Sequence, residues 1–188
     1  MAGGVVDKRQ LRTRVLRQLK TQKEDDRRRR SAVIRRKLRR LAVFRRAKTV
    51  ACYVSLPYEV ETRQLIKQMF RDGKRVVVPM VKQPTRILQW SEVRDLDTDL
   101  APGAFGVWEP KPSARRPVRM DDVDLFVVPG LAFDRRGHRL GHGQGCFDRL
   151  LARVPKTTST VGVCFGFQLL DCLPTRPHDQ AVRTVLSA

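Results

Sequence analysis

The sequence predicts an α/β protein, a three-layer sandwich with a mainly parallel sheet and two N-terminal amphipathic helices. Apolar residues recur at helical spacing in the first 45 positions, whereas farther along short apolar runs alternate with further helical segments. A chain of 188 residues is long enough for one domain with its own core and short for two. We therefore expect a single domain over residues 1–188, in which a basic helical arm at about 7–45 packs on the α/β core.

The N-terminal arm has the spacing of two amphipathic helices. Asp7 is placed to cap the first helix, and Ser31 precedes the apolar run of the second. Between them the stretch DDRRRR, residues 25–30, is either a polar joint or an exposed turn of helix. The apolar positions are Leu11, Val15, Leu16 and Leu19 in the first helix and Ile34, Leu38, Leu41 and Ala42 in the second.

After residue 48 the pattern changes to short apolar runs of the kind that form buried strands. A helix is expected around residues 65–70, closed by Asp72 and Gly73, and another that includes Leu150 and Leu151. The region 101–120, which has four prolines and two glycines, predicts an extended surface excursion. The expected strands are 49–55, 75–79, 124–129 and 160–166, with a short one at 87–90 and a last one at 182–187.

Three alternating glycines, Gly141, Gly143 and Gly145, follow the expected strand at 124–129. Alternate glycines let successive backbone N–H groups face one concavity, and such a concavity binds phosphate oxygens, more so where a helix begins. The helix is expected to start near Phe147, and Asp148 is a hard oxygen ligand of the kind that suits Mg²⁺. The spacing matches neither the dinucleotide fingerprint nor a Walker A loop, so a structural turn is the alternative to an anion-binding loop.

The charge of the chain is high and unevenly distributed. The net charge is +20, and the first 50 residues hold 19 Lys and Arg against 4 Asp and Glu. Such a surface attracts anionic partners, including phosphorylated or polyglutamylated ligands, nucleic acid and acidic proteins, or it is a solvated helix surface. An aromatic content of 6% and the lack of an RNA-binding or zinc motif favour non-specific binding of nucleic acid at most.

Several ordered motifs resemble those of the 5-formyltetrahydrofolate cyclo-ligases, also called methenyltetrahydrofolate synthetases. The longest is VVPGLAFDRRGHRLGHGQGCFDRLL at 127–151, which is similar to the family signature P-G-x-A/G-F-D followed by x-x-G-x-R-L-G-x-G. The resemblance covers nearly the whole chain. The other motifs are K-R-Q-L-R at 8–12, Y-V-S-L-P-Y-E-V-E-T at 53–62, F-G-V-W-E-P at 105–110 and P-H-D at 177–179.

The resemblance implies an ATP- and Mg²⁺-dependent ring closure of 5-formyltetrahydrofolate to 5,10-methenyltetrahydrofolate, with release of ADP and phosphate. It implies that Lys8, Arg9 and Arg12 meet the ATP phosphates, although basic helix residues can also simply face water. Arg139 and the backbone of the following loop would form the nucleotide cradle. The loop residues are Gly141, His142, Gly143, Gln144, Gly145, Cys146 and Phe147.

For the folate, the resemblance implies that Glu59 hydrogen-bonds the pterin and that Val54 lines the same pocket, with core packing as the alternative for Val54. The loop residues 142–146 would border both ligands, and His142 is expected to make contact without an acid–base role. Phe105 is expected either to stack on the folate or to pack in the core.

For the metal, the resemblance implies that Asp148 and Asp179 are the Mg²⁺ ligands. The alternatives are a helix N-cap for Asp148 and a turn acid beside a proline for Asp179.

The chain departs from the family pattern at the glycine loop. Cys146 and Phe147 stand where the family usually has two tyrosines, and Gln144 stands where Gly or Lys is usual. Loss of one hydrogen bond costs about 1–3 kcal/mol, a roughly ten- to hundred-fold effect on rate. Two further hypotheses follow, a divergent family member that binds folate or nucleotide with weak turnover and a basic nucleic-acid-binding protein.

The expected setting of the protein is the cytosol, where its four cysteines stay reduced. No apolar stretch approaches the roughly 20 residues that a spanning helix needs, so no membrane partner is expected. The Arg-rich start resembles a mitochondrial presequence, but the family-like motifs begin at Lys8, and removal of a presequence would remove that motif. We expect a monomer.

Overall fold

The computed structural model describes residues 7–82, 84–85, 87–103, 106–175 and 179–188, so Phe105 and the first two residues of the P-H-D motif lie outside it. The helices are α1 (Lys8–Thr21), α2 (Glu24–Arg40), α3 (Ala42–Arg46), α4 (Arg63–Arg71) and α5 (Cys146–Leu151). The strands are β1 (Thr49–Cys52), β2 (Arg75–Lys82), β3 (Ile87–Val93), β4 (Leu100–Pro102), β5 (Trp108–Pro110), β6 (Pro117–Val118), β7 (Leu125–Val128), β8 (Ala132–Asp134), β9 (Arg139–Leu140), β10 (Ser159–Cys164), β11 (Leu169–Leu170) and β12 (Thr184–Ser187).

A seven-stranded sheet with the order β12-β10-β7-β1-β2-β3-β6 forms the centre of the molecule. The pairs from β12 to β2 are parallel, whereas β3 and β6 are added antiparallel at one edge. Apolar clusters cover both faces of the sheet, one with α1, α2 and α4 and the other with α5. The predicted three-layer α/β sandwich with a mainly parallel sheet is therefore confirmed, while the single-domain assignment stays a prediction.

The two predicted N-terminal helices are present, with two corrections. α2 ends at Arg40, so Leu41 and Ala42, which were expected in the second helix, are its C-cap and the first residue of α3. Asp7 caps α1 as predicted, because its carboxylate accepts a hydrogen bond from the backbone N–H of Arg9. The stretch 25–30 is helical, since α2 begins at Glu24 with three acidic residues in its first turn, where negative charge is favourable. Ser31 is therefore inside α2, where it is buried and accepts a hydrogen bond from the N–H of Glu61.

The strand predictions differ from the structure mainly in their limits. β1 ends at Cys52 rather than at residue 55, and the expected short strand at 87–90 extends to Val93. The excursion at 101–120 contains the hairpin of β4 and β5. A small sheet of β11, β8 and β9 had not been expected, because strands of two or three residues are too short to show a pattern.

The order of the parallel strands determines where a ligand can bind. β1, β2 and β7 lie side by side, so the segments that follow them meet at one edge of the sheet. In open α/β sheets ligands collect at that carboxyl-terminal edge. No helix among the described residues is long and apolar enough to cross a bilayer.

Candidate active site

A cavity of about 310 Å³ opens at the carboxyl-terminal edge of the parallel strands. It is lined by residues after β1, on β2 and after β7, together with residues of the glycine loop. The lining residues are Tyr53, Val54, Leu56, Tyr58, Glu59, Pro79, Val81, Leu88, Val107, Glu109, Pro129, Gly130, Arg139, Gly141, His142, Gln144, Gly145, Cys146 and Phe147. Nine of the predicted site residues thus lie around one cavity.

The glycine loop has the backbone conformation that its composition predicts. Gly143 and Gly145 have φ angles of 98° and 67°, which residues with a side chain rarely adopt. α5 begins at Cys146, one residue before the predicted start, and Gly145 is its N-cap without a side-chain hydrogen bond. Asp148 is therefore not the N-cap, and its carboxylate makes a different contact.

That contact is an ion pair with Arg139. The two side chains are joined by a hydrogen bond of 2.6 Å from Arg139 Nη2 to Asp148 Oδ1, and the Arg139 side chain is only 5% exposed. The guanidinium also lies 5.5 Å from the centre of the Phe147 ring. The β9 strand and α5 thus bring a buried cation and a partly exposed carboxylate together behind the glycine loop.

Helix α1 reaches the same region from the other side. Lys8 Nζ donates to Asp179 Oδ2 at 2.7 Å, and Arg12 Nε donates to the carbonyl of Gly141 at 2.9 Å. Lys8 and Arg12 are four residues apart, so both side chains lie on one face of the helix. Arg9, the third predicted phosphate contact, is exposed on α1, and the structure does not bring it to the loop.

Glu59 lies in the segment that follows β1 and lines the cavity. Its Oε2 accepts a hydrogen bond of 2.9 Å from the backbone N–H of Leu56, and its Oε1 lies 3.8 Å from His142 Nε2. Val54 lines the cavity and is also part of the core at 3% exposure, so core packing is confirmed for this residue and its contact with folate stays a prediction.

Two tyrosines, Tyr53 and Tyr58, line the cavity beside Glu59 and are neutral at neutral pH. Burial is the largest cause that raises the pKa of Tyr53, followed by the negative charge of Glu59, and the Tyr53 hydroxyl donates to the carbonyl of Val60 at 3.0 Å. The pKa of Tyr58 is raised for the same two reasons. Both phenols therefore present neutral rings beside a carboxylate, an environment suited to a flat heterocycle with hydrogen-bond donors.

Sequence reasoning missed part of the lining. Glu109 lies on β5, within the F-G-V-W-E-P motif, and its Oε1 accepts from the N–H of Val81 at 3.3 Å. Pro79 and Val81 lie on β2, and Pro129 follows β7. The rule that ligands collect beyond parallel strands could have identified these strand-end positions, whereas Leu88 and Glu109 depend on how β3 and β5 fold over the edge.

The two carboxylates predicted to bind a metal are separately paired, Asp148 with Arg139 and Asp179 with Lys8. Within the described ranges there is no cluster of three or more His, Cys, Asp or Glu that could hold a metal ion alone. Mg²⁺ is usually held in proteins by one or two carboxylates, with phosphates and water as its other ligands. The donor set of this chain fits that arrangement.

Comparison with known proteins agrees with this geometry. Residues 5–188 match the model of the 5-formyltetrahydrofolate cyclo-ligase family. The chain belongs to this family. A cyclo-ligase of Mycolicibacterium smegmatis is 33% identical over 184 residues, which are 96% of this chain and 93% of that protein. The family member of Haemophilus influenzae is 32% identical over 143 residues, 76% of each chain.

Solved structures of the family have the same fold. The NMR structure of Aquifex aeolicus 5,10-methenyltetrahydrofolate synthetase superposes with a TM-score of 0.83 at 34% sequence identity, and the match covers 96% of this chain and 89% of that one. The synthetase of Mycoplasma pneumoniae gives a TM-score of 0.77 at 21% identity, a likeness of fold.

Proposed function

We propose that this chain catalyses the reaction of its family, the ATP-dependent cyclisation of 5-formyltetrahydrofolate to 5,10-methenyltetrahydrofolate, with release of ADP and phosphate. The observation that carries the proposal is that the Glu59 carboxylate and the glycine loop line one cavity. The first group complements the amino and ring N–H groups of a pterin, and the second presents bare amides to phosphate.

In this reaction the formyl oxygen attacks the γ-phosphorus of ATP, and ADP leaves with the electrons of the broken P–O bond. The neighbouring anilino nitrogen then closes the ring on the phosphorylated formyl carbon and loses its proton, and phosphate departs with the electrons of the broken C–O bond. The protein has to align oxygen with phosphorus and neutralise the negative charge that develops. In this proposal Lys8 and Arg12 supply cations and the backbone of residues 141–147 supplies amides. The support is that Lys8 contacts Asp179, that Arg12 contacts the carbonyl of Gly141, and that Gly143 and Gly145 have positive φ angles.

Asp148 and Asp179 would hold Mg²⁺, which supplies positive charge against the ATP phosphates. In the structure Arg139 and Lys8 neutralise these two carboxylates, so the cations have to share or release them when the metal binds. Arg139 is buried and stays beside the site, whereas Lys8 is 21% exposed and can turn toward a phosphate.

The decisive experiment mixes purified protein with 5-formyltetrahydrofolate and Mg-ATP and follows the near-ultraviolet absorbance of the methenyl product. We expect product above a control without protein, and at least a tenfold lower rate for Asp148→Asn, because the amide keeps the Arg139 contact and loses the charge. Asp171→Asn is the matched control, since Asp171 pairs with Arg135 at 3.2 Å on the exposed surface. No product from wild-type protein that still binds the folate contradicts the proposal.

The proposals on location and partners rest on helix α1 and on the basic surface of the protein. We propose a cytosolic setting and a monomer. Helix α1 buries Leu11, Val15 and Leu19 in the core and brings Lys8 to Asp179, so this helix is part of the folded protein. The basic surface suits a polyglutamylated substrate. We expect a lower KM for polyglutamylated than for monoglutamylated substrate, and we expect the KM of the polyglutamylated form to rise with salt concentration.

A further inference from the structure

A tight turn between β8 and β9 is built around one buried carboxylate. Asp134 is fully buried, at 0% exposure. Its Oδ1 accepts from the backbone N–H groups of Arg136 and His138 at 2.9 Å each, and its Oδ2 lies 2.9 Å from His138 Nδ1. Burial raises the pKa of Asp134, but the hydrogen bonds from the side chain and backbone of His138 and from Leu173 outweigh it and hold the pKa below its ordinary range. The turn is therefore organised around a negative charge.

The same turn holds the chain on both sides of Asp179. On one side Asp134 Oδ2 accepts from the backbone N–H of Leu173 at 3.2 Å. On the other side the N–H of Val182 donates to the carbonyl of Gly137 at 2.9 Å. Gly137 has a φ angle of 88°, and a Cβ at this position would overlap the carbonyl oxygen of Val182. The backbones of Gly137 and Val182 therefore lie too close together for any side chain at position 137.

The turn also determines the position of Arg139. This residue directly follows His138, begins β9, and pairs with Asp148 at 2.6 Å. The turn thus contacts the segment that carries Asp179, through Leu173 and Val182. It also leads directly into Arg139, which pairs with Asp148.

We propose that Asp134 is a positioning residue, which sets the relation between Asp179 and Asp148 and thereby their affinity for a divalent cation beside the nucleotide. The proposal rests on the proposed function, because it assigns the metal to these two carboxylates. Asp134 itself is fully buried and hydrogen-bonds Arg136, His138 and Leu173. It acts on the two carboxylates indirectly, through Leu173, Gly137 and Arg139. Groups that orient metal ligands in this way typically contribute ten- to hundred-fold to metal affinity.

Asp134→Asn tests this directly. The amide oxygen of Asn can still accept from the two backbone N–H groups of the turn, but its NH₂ group then faces the N–H of Leu173 and cannot accept from it. The hold on the Asp179 segment is lost while the turn keeps part of its hydrogen bonds. We expect the affinity for Mn²⁺ in the presence of ADP, measured by electron paramagnetic resonance of free Mn²⁺, to fall roughly tenfold or more.

Two further variants separate positioning from stability. Asp124→Asn is the matched control, because the Asp124 carboxylate accepts from the backbone N–H groups of Lys48 and Thr49 at 2.8 Å each, at the amino-terminal ends of β1 and β7. It should lower stability and leave Mn²⁺ affinity unchanged. His138→Ala removes one partner of Asp134 and keeps the Leu173 contact, so a smaller loss of Mn²⁺ affinity is expected.

Unchanged Mn²⁺ affinity in Asp134→Asn, or an equal loss in Asp124→Asn, overturns the proposal. If Asp134→Asn does not fold, the test is the Mn²⁺ affinity of His138→Ala. An affinity equal to that of the wild type in this variant overturns the proposal. The binding assay needs no turnover. A wild-type protein that binds Mn²⁺ with ADP but forms no methenyl product therefore contradicts the proposed function and leaves this inference to be judged on the variants.

Discussion

Arg139 illustrates what one residue contributes to the site. Its charge is almost completely removed from solvent, which is costly unless a partner of opposite charge is present, and Asp148 is that partner. The glycine spacing predicted a phosphate loop and a metal ligand at Asp148, but it could not predict this pairing. The pairs of Arg139 with Asp148 and of Lys8 with Asp179 are made by the tertiary fold, and the second joins residues far apart in sequence.

Cys146 stands where the resemblance to the family leads us to expect a tyrosine. It borders the main cavity and also a second, largely apolar cavity of about 320 Å³ between β3 and α5. Cys146→Tyr should be accommodated, because the ring can enter the open space of the main cavity, where its hydroxyl can reach a bound ligand. We expect kcat/KM to rise by about tenfold, as for one added hydrogen bond to a bound ligand. Steady-state kinetics test this, and an unchanged kcat/KM means that the substitution never limited turnover.

Asp99 provides a test of electrostatics away from the site. The hydrogen bond from Arg116, at 2.7 Å, and those from the backbone of Arg94 and Asp95 lower the pKa of Asp99, although burial opposes this. A carboxyl with a lowered folded-state pKa stabilises the protein above its unfolded pKa of about 3.9 and loses that contribution as the pH falls through the folded value. Urea unfolding should therefore show a smaller loss of stability between neutral pH and pH about 3 for Asp99→Asn than for wild type. An equal loss of unfolding free energy over this pH range in the two proteins would contradict the prediction.

At the scale of the element, helix α1 has two functions on neighbouring faces. Leu11, Val15 and Leu19 are buried in the core, while Lys8 and Arg12 reach Asp179 and the glycine loop. The helix itself could be predicted from its apolar spacing and its Asp7 cap. Which cations face the site could not be predicted from that spacing, because spacing along a helix does not show what lies beyond each face; Lys8 and Arg12 were expected there only from the resemblance to the family.

Lys8 and Arg9 form a matched pair for testing this division of α1. Lys8→Ala removes the cation that contacts Asp179, so the KM for ATP should rise about tenfold, as expected for a charge-assisted contact. Arg9→Ala removes an exposed cation from the same helix turn and should change the KM for ATP less than twofold. Initial rates at varied ATP concentration distinguish them, and equal effects would assign the role to general charge.

Other elements show why sequence patterns were sufficient for some segments and insufficient for others. The long apolar runs of β2, β7 and β10 were predicted because burial on both faces leaves a continuous apolar signature. The role proposed for the turn at Asp134 was not predicted, although the turn lies within the family-like motif. That role depends on contacts of the turn with Leu173 and Val182, which are distant in sequence.

For the whole molecule, the charge is concentrated on one layer. Many cations of α2 and α3, including Arg36, Arg40, Arg45 and Arg46, are exposed. This layer packs on the opposite face of the sheet from α5. Electrostatic attraction of this kind changes association rates and non-specific binding rather than the fold.

Binding of single-stranded DNA should therefore be non-specific and dependent on salt. We expect two oligonucleotides of different sequence to bind with equal affinity and the affinity to fall steeply with salt concentration. The double variant Arg45→Gln and Arg46→Gln should reduce the slope of log affinity against log salt by roughly 1.4. Fluorescence anisotropy measures both effects, and tight sequence-selective binding at physiological salt would instead support a nucleic-acid function.

Because α1 packs in the core and also contacts Asp179 and the carbonyl of Gly141, we expect ligand occupancy and thermal tolerance to be coupled in this protein. A nucleotide bound at Lys8, as proposed, would anchor the N-terminal helix, and a ligand at a hundred times its Kd stabilises the native state by about 2.7 kcal/mol. Heating with and without ADP thus offers a screen for compounds that occupy the phosphate end of the cavity. Such a screen needs neither folate nor a chromogenic product.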